Sequence, residues 1–194
     1  MPEQAVREFL DRNGTDRKKV ITVGFSGGAD SVCLLSCLAD AGCNVRAVHV
    51  HHMMRAEEAR RDADFARDFC AQRGIPFELV QVNVPQYARA NGLTPEQAAR
   101  CLRYRALREA AEGGLIAVAH NLNDQAETVL MRLVRGSGTA GLAAMQEVSG
   151  NIIRPLLYVS RRRIEEYCRK HGLAYVTDST NLEPDCTRNI LRLE

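Results

Sequence analysis

Short apolar runs alternate along the chain with longer stretches in which apolar residues recur every three or four positions. The runs are rich in β-branched residues, as in strands buried on both faces, and the longer stretches have the period of amphipathic helices. Residues 3–12 predict a short helix closed by Asn13-Gly14, and residues 19–25 (KVITVGF) predict a buried parallel strand. A Gly-rich turn follows, then a helix over 30–41 that ends at Gly42. Residues 45–51 (VRAVHVH) predict a second strand and 77–82 a third. Between them, 57–73 predicts a strongly charged helix with Phe65 and Phe69 inward and Gly74 as its stop.

Thr94-Pro95-Glu96-Gln97 reads as a helix start for a physical reason. Thr94 can accept a backbone N–H, Pro95 suits the first helical position, and Gln97 can complete a capping box. That helix is expected to reach Glu112 and stop at Gly113-Gly114. A fourth strand over 115–119, a helix over 123–135 and a loop over 136–141 follow. A short strand near Ile152-Ile153, a helix over 160–170 and a strand near Tyr175-Val176 complete the pattern. Strands alternating with helices predict a doubly wound α/β fold, a mainly parallel five-stranded sheet with helices on both faces. With no internal repeat, low-complexity stretch or linker, residues 1–194 are expected to form a single domain.

Composition narrows the class without changing the fold. A hydrophobic content of 45% with 26% charged residues excludes a disordered tail, a fibrous repeat and a disulfide miniprotein. No run is long enough to span a membrane and no charged-then-apolar leader opens the chain, so the expectation is a cytoplasmic protein with no membrane partner. Seven cysteines at irregular spacing fit reduced thiols. Cys33 and Cys37, among leucines of one helix, read as core. The net charge of +2 is nearly neutral, yet arginines cluster at Arg100, Arg103, Arg105 and Arg108 and again at Arg161, Arg162 and Arg163. Most of these read as solvated helix surface.

The candidate chemistry sits in Ser26-Gly27-Gly28-Ala29-Asp30-Ser31, between the first strand and its helix. In a doubly wound fold that turn lies at the carboxyl edge of the sheet, where ligands bind. The glycines let backbone N–H groups approach an anion, the serine hydroxyls add donors, and the helix start adds unpaired N–H groups. The turn lacks the lysine and spacing of a Walker A loop, and it is not G-x-G-x-x-G. A carboxylate inside a phosphate cradle needs a cation between them, so Asp30 points to pyrophosphate held with Mg²⁺.

These residues resemble the PP-loop of the ATP-pyrophosphatases, enzymes that cleave ATP between its α and β phosphates. Further segments resemble one branch, the tRNA(Ile)-lysidine synthetases. They are His51-His52-x-x-Arg55-x-Glu57, Ala99-Arg100-x-x-Arg103-Tyr104, and Ala119-His120 followed by Asp124-Gln125-Ala126-Glu127-Thr128. Arg132-x-x-Arg135-Gly136-Ser137-Gly138, Gly141-Leu142, Arg154-Pro155-Leu156-Leu157, Asp178-x-x-Asn181 and Arg188-Asn189 extend the match over residues 19–192. The chain departs at Asn121 and Asn123, where the family often has a histidine and an acidic residue.

The resemblance implies ATP and Mg²⁺ as cofactors, with L-lysine and a tRNA(Ile) carrying an unmodified wobble cytidine as partners. It implies catalytic roles for Asp30, His120, Asp124, Glu127, Arg100 and Arg188, with Asp30 and Asp124 on the metal. The nucleotide would be held by Ser26, Gly27, Gly28, Ala29, Asp30 and Ser31, with His49 and His51 lining the adenosine. Asp124 and Glu127 share a helical face and could also hold the ammonium of an incoming lysine. His49, His51 and His52 lack a cysteine pair at zinc spacing, which argues against a zinc site. Tyr104 reads as packing. Family members usually continue into domains that grip tRNA, so the chain is expected to be an N-terminal catalytic part without them, binding nucleotide well and tRNA weakly. The alternatives are a PP-loop tRNA thiolase, disfavoured because C-x-x-C is absent, and a nucleotide-binding module without chemistry.

Overall fold

The computed structural model describes residues 1–52, 56–134 and 144–177, with the side chains of 56–59 excepted. Thirteen elements follow in the order α1(Pro2–Arg12), β1(Ile21–Gly24), α2(Ala29–Asp40), β2(Val45–His51), α3(Ala56–Gln72), β3(Phe77–Gln81), α4(Val84–Asn91), α5(Pro95–Ala111), β4(Leu115–Ala117), α6(Leu122–Val134), β5(Val148–Ser149), β6(Ile152–Ile153) and α7(Arg161–Lys170) among the described residues.

The strands form one sheet in the order β3-β2-β1-β4-β6-β5. Every pairing is parallel except β5 with β6. The sheet therefore has six strands where five were expected, the extra one being the two-residue hairpin partner of β6. Two exposed residues carry no periodic signal, which is why that strand is silent in the sequence. The expected strand at Tyr175-Val176 is also corrected. That segment joins no sheet, and the Val176 N–H donates instead to the Gly27 carbonyl at 2.9 Å.

Side-chain alternation sends residues of each strand to two different cores. Ile21, Val23, Ala47, Ala117 and Ile153 join Val6 and Phe9 of α1, the leucines of α2, Phe69 of α3, and Ile164 and Tyr167 of α7. Val48, Ile116 and Ile152 meet Tyr104, Leu107 and Ala110 of α5 on the opposite face. α2 is buried along nearly its whole length, including Cys33 and Cys37, because α1 and α7 cover the side that the sheet does not. α7 meets it with Ile164, Tyr167 and Cys168, three and four residues apart.

The Thr94 capping box forms as expected, with Oγ1 accepting from Gln97 N at 3.2 Å and Gln97 Oε1 accepting from Thr94 N at 3.0 Å. α4 was absent from the sequence reading. Its local signals are Asn83, whose Oδ1 accepts from Gln86 N at 3.0 Å, Pro85 in the first turn, and Gly92 in the left-handed conformation at its end. α4 and α5 form a hairpin whose apolar cluster of Val84, Ala88, Ala98 and Leu102 closes over Val50 and Val80. No helix among the described residues is long and apolar enough to cross a membrane.

Candidate active site

β1 ends at Gly24 and α2 starts at Ala29, so residues 25–28 turn at the carboxyl edge of the parallel strands. Phe25 is held by its N–H on the Val48 carbonyl at 2.9 Å and by its own carbonyl, which accepts from His49 Nδ1 at 2.9 Å. His49 is buried, and that burial lowers its pKa below the usual value, so the ring is neutral and carries its proton on Nδ1. It anchors the strand end from which the turn departs.

Gly27 takes φ +86°, and a Cβ there would sit 3.1 Å from Phe65 Cδ1. Both the backbone conformation and the close ring demand glycine. Ser31 reaches back into the turn. Its hydroxyl donates to the Gly28 carbonyl at 2.9 Å and accepts from Gly27 N at 3.1 Å, with Ser26 Oγ 3.2 Å away. Ser31 is buried and shapes the cradle, whereas Ser26 is exposed at its mouth. Gly28 caps α2 without any side-chain acceptor, so no N-cap side chain takes the first-turn N–H groups of the helix.

The starts of α6 and α7 meet this turn. Asn121 Nδ2 donates to Asp30 Oδ1 at 3.0 Å, while Asn121 Oδ1 accepts from the N–H groups of Asn123 and Asp124 at 2.9 and 3.1 Å. Asp124 Oδ2 accepts the Asn121 N–H at 3.0 Å. Asn123 Oδ1 then accepts from Arg161 N at 3.1 Å, at the first residue of α7. Three helix N-termini, those of α2, α6 and α7, thus adjoin one another through asparagine side chains. Their dipoles all favour negative charge nearby. α7 opens with Arg161, Arg162 and Arg163 and no acidic residue in its first turn, an order opposed to its own dipole. Arg161 Nε and Arg162 Nε are partly offset by Glu165 at 3.0 Å and Glu166 at 2.9 Å.

Burial raises the pKa of Asp30 above its usual value, the Asn121 amide and the Arg161 guanidinium pull it back down, and the charges of Asp124 and Glu165 push it up again. The carboxylate is therefore short of positive partners. Glu127, buried, stands one turn beyond Asp124 on α6. His120 precedes Asn121 and accepts at Nδ1 from Arg154 Nε at 3.3 Å, and Arg154 also donates to the Gln146 carbonyl at 2.8 Å. Gln125 exchanges two hydrogen bonds with the Met145 backbone, at 2.8 and 2.7 Å, and so holds residues 145–147 beside α6.

The structure thus brings Ser26, Gly27, Gly28, Ala29, Asp30, Ser31, Asp124 and His120 to one edge of the sheet, with Glu127 on the same helix as Asp124. Arg100 is exposed on α5, its guanidinium 5.2 Å from the Tyr104 ring centre. α5 follows β3 and precedes β4, and its Tyr104 and Leu107 pack on the sheet. Tyr104 packs into the second core, as expected. His51 ends β2, and His52, just beyond, has its pKa lowered to about 4 by burial and by the charge of Arg103. Arg188, Arg55, Asp178, Asn181 and Asn189 lie outside the described residues, as do Arg135 to Gly138 and Gly141-Leu142. Among the described residues no group of three His, Cys, Asp or Glu side chains forms a metal cage.

Sequence reasoning missed Asn121, Arg154 and Arg161 as members of this edge. Arg154 stood inside a quoted motif and Arg161 in a basic cluster, but nothing local shows that Arg154 bonds His120 or that Arg161 bonds Asn123.

The PP-loop domain family matches residues 1–194. A tRNA(Ile)-lysidine synthase of Caldanaerobacter subterraneus subsp. tengcongensis is 42% identical over 201 residues, covering 100% of this chain and 43% of that protein. The tRNA(Ile)-lysidine synthase of Bacillus subtilis is 39% identical over 200 residues, covering 97% of this chain and 42% of its own. The chain therefore spans less than half the length of the curated relatives it matches. Among solved structures, the U34-tRNA thiolase NcsA from Methanococcus maripaludis, with its 4Fe–4S cluster, superposes with a TM-score of 0.78 at 21% identity, over 99% of this chain and 69% of that one. An NH3-dependent NAD synthetase from Campylobacter jejuni gives 0.62 at 15%, over 99% and 80%. At these identities the likeness is one of fold.

Proposed function

The chain belongs to the PP-loop domain family, and from that premise we propose that it is the ATP-using catalytic part of a tRNA(Ile)-lysidine synthetase. The reading is carried by one observation, the Asp30–Asn121–Asp124 linkage that joins the phosphate turn to the helix bearing Asp124 and Glu127. The names of relatives about 40% identical along nearly the whole chain support the substrate assignment.

In the proposed reaction the wobble cytidine O2 attacks the α-phosphorus of ATP, the bond to the bridging oxygen breaks, and pyrophosphate departs in the cradle of residues 26–31. The lysine ε-amine, having given up a proton, then attacks carbon 2 of the base, and AMP leaves with the oxygen. The α2 N–H groups and the side chains of Ser26 and Arg161 offset charge on the phosphoryl oxygens. Arg154 holds His120 beside the turn through its bond to Nδ1. Glu127, one turn beyond Asp124, offers a carboxylate to the lysine ammonium before deprotonation.

The donor set fits Mg²⁺. Asp30 and Asp124 are hard oxygen ligands tied to a single asparagine, and Mg²⁺ takes one or two carboxylates with phosphate oxygens and waters. Bound there, it would neutralise charge on the pyrophosphate leaving group.

The test combines ATP, labelled lysine and unmodified tRNA(Ile) with the protein carrying this domain. Lysine incorporation with one pyrophosphate released per lysine is expected, and none would reject the assignment. Sulfur transfer in its place would favour a thiolase. The buried trio Cys33, Cys37 and Cys168 gives that alternative no support, since it lies in the core of α2 and α7.

A further inference from the structure

Asn121 sits at the centre of the proposed site yet has no part in the chemistry outlined above. Its Oδ1 accepts from two backbone N–H groups, Asn123 at 2.9 Å and Asp124 at 3.1 Å. Those groups can only donate, so the orientation of the amide is settled and Nδ2 is the atom that donates to Asp30 Oδ1 at 3.0 Å. The backbone of the same residue donates to Asp124 Oδ2 at 3.0 Å. The side chain is almost wholly shielded from solvent, at 2% exposure, and it joins residues 91 positions apart.

A cap for α6 would need only an acceptor. Serine or aspartate would serve as well as asparagine. The amide adds a neutral donor aimed at Asp30, which orients that carboxylate without cancelling its charge, as a lysine or arginine would. From this we propose that Asn121 is a positioning residue that holds Asp30 of the turn and Asp124 of α6 as a fixed carboxylate pair towards the cation accompanying the triphosphate. The inference rests on the PP-loop reading given above, and it concerns a position where this chain departs from the histidine common in the resembling family.

The two roles of the residue separate by substitution. Asn121→Ser keeps a capping oxygen and loses the amide donor, and Asn121→Ala loses both. Mn²⁺ binding to the 194-residue chain with a saturating non-hydrolysable ATP analogue is followed by electron paramagnetic resonance, beside thermal unfolding without ligand. Asn121→Ser is expected to melt within roughly 2 °C of the parent and to bind Mn²⁺ roughly ten- to a hundredfold more weakly. Asn121→Ala is expected to bind as weakly and melt lower. Mn²⁺ affinity in Asn121→Ser equal to that of the parent overturns the positioning role and leaves the PP-loop reading standing. A parent chain that takes up neither Mn²⁺ nor the nucleotide overturns both.

Discussion

Arg154 Nε donates to His120 Nδ1 at 3.3 Å. A guanidinium has no acceptor and stays protonated, so the histidine nitrogen it faces must offer its lone pair. The bond fixes the orientation of the His120 ring, with Nδ1 turned to Arg154. Arg154 is anchored for this by the Gln146 carbonyl and by its burial at the end of β6.

Arg154→Lys tests the consequence. A lysine keeps the charge but cannot serve both Gln146 and His120 from one planar group. tRNA-dependent pyrophosphate release should fall on the order of tenfold or more in kcat, with KM for ATP little changed. An unaltered kcat would show that His120 orientation has no catalytic weight.

Asp30 makes the fold less stable than it would otherwise be. Its folded pKa lies above the usual aspartate value, chiefly through burial. A raised carboxyl binds its proton more tightly in the folded state, so its contribution is most favourable below the unfolded value and is lost as pH rises through the folded one. At neutral pH Asp30→Asn should therefore raise Tm, as read by thermal unfolding. The same variant should lose metal-dependent nucleotide binding. A lowered Tm would mean that the carboxylate is compensated in the apo protein.

His49 in β2 and His52 just past its end act in the opposite direction. His49 and His52 both have lowered pKa values, His52 to about 4, with burial the leading cause in each. Stability from these groups is complete above the unfolded value of 6.5 and declines as pH falls below it, down to about 4 for His52. Tm measured between those limits should drop less steeply in His52→Gln than in the parent. Parallel curves for the two proteins would remove His52 from the acid sensitivity.

Gly27 and Gly28 are adjacent but not equivalent. Gly27→Ala meets both a φ of +86° and Phe65 at 3.1 Å, and it should cost about 1–2 kcal/mol. At Gly28 the nearest atom to an added Cβ is Ser26 Oγ at 3.6 Å, so Gly28→Ala should leave unfolding nearly unchanged. Chemical denaturation of both variants separates strain from ligand contact, and nucleotide titration then reads how closely a phosphate approaches Gly28. Equal destabilisation by the two substitutions would contradict the geometry of the turn.

Much of this architecture was legible because its signals are local. β2 falls on the expected residues 45–51, and the capping box of α5 forms from the four residues that announced it. α4 was missed although Asn83, Pro85 and Gly92 mark its ends, because its buried side is only Val84 and Ala88. The turn of residues 26–31 was legible as a glycine-bearing strand–helix junction, since glycine and serine there already define the backbone chemistry. Ser31, by contrast, reads in sequence as a ligand donor, and in the fold its hydroxyl is engaged in shaping the turn.

The sequence by itself determined the strand and helix rhythm, the parallel sheet with two faces, and the glycine turn at its carboxyl edge, because period, caps and turn residues act over a few positions. Only the tertiary structure decided that Asn121 would reach Asp30, that Arg154 would reach His120 across 34 positions, and that three helix starts would adjoin. The reason is one of scale. Periodicity assigns a residue to a face, whereas a hydrogen bond requires two atoms within about 3 Å, and that closeness is set by how whole helices pack on the sheet.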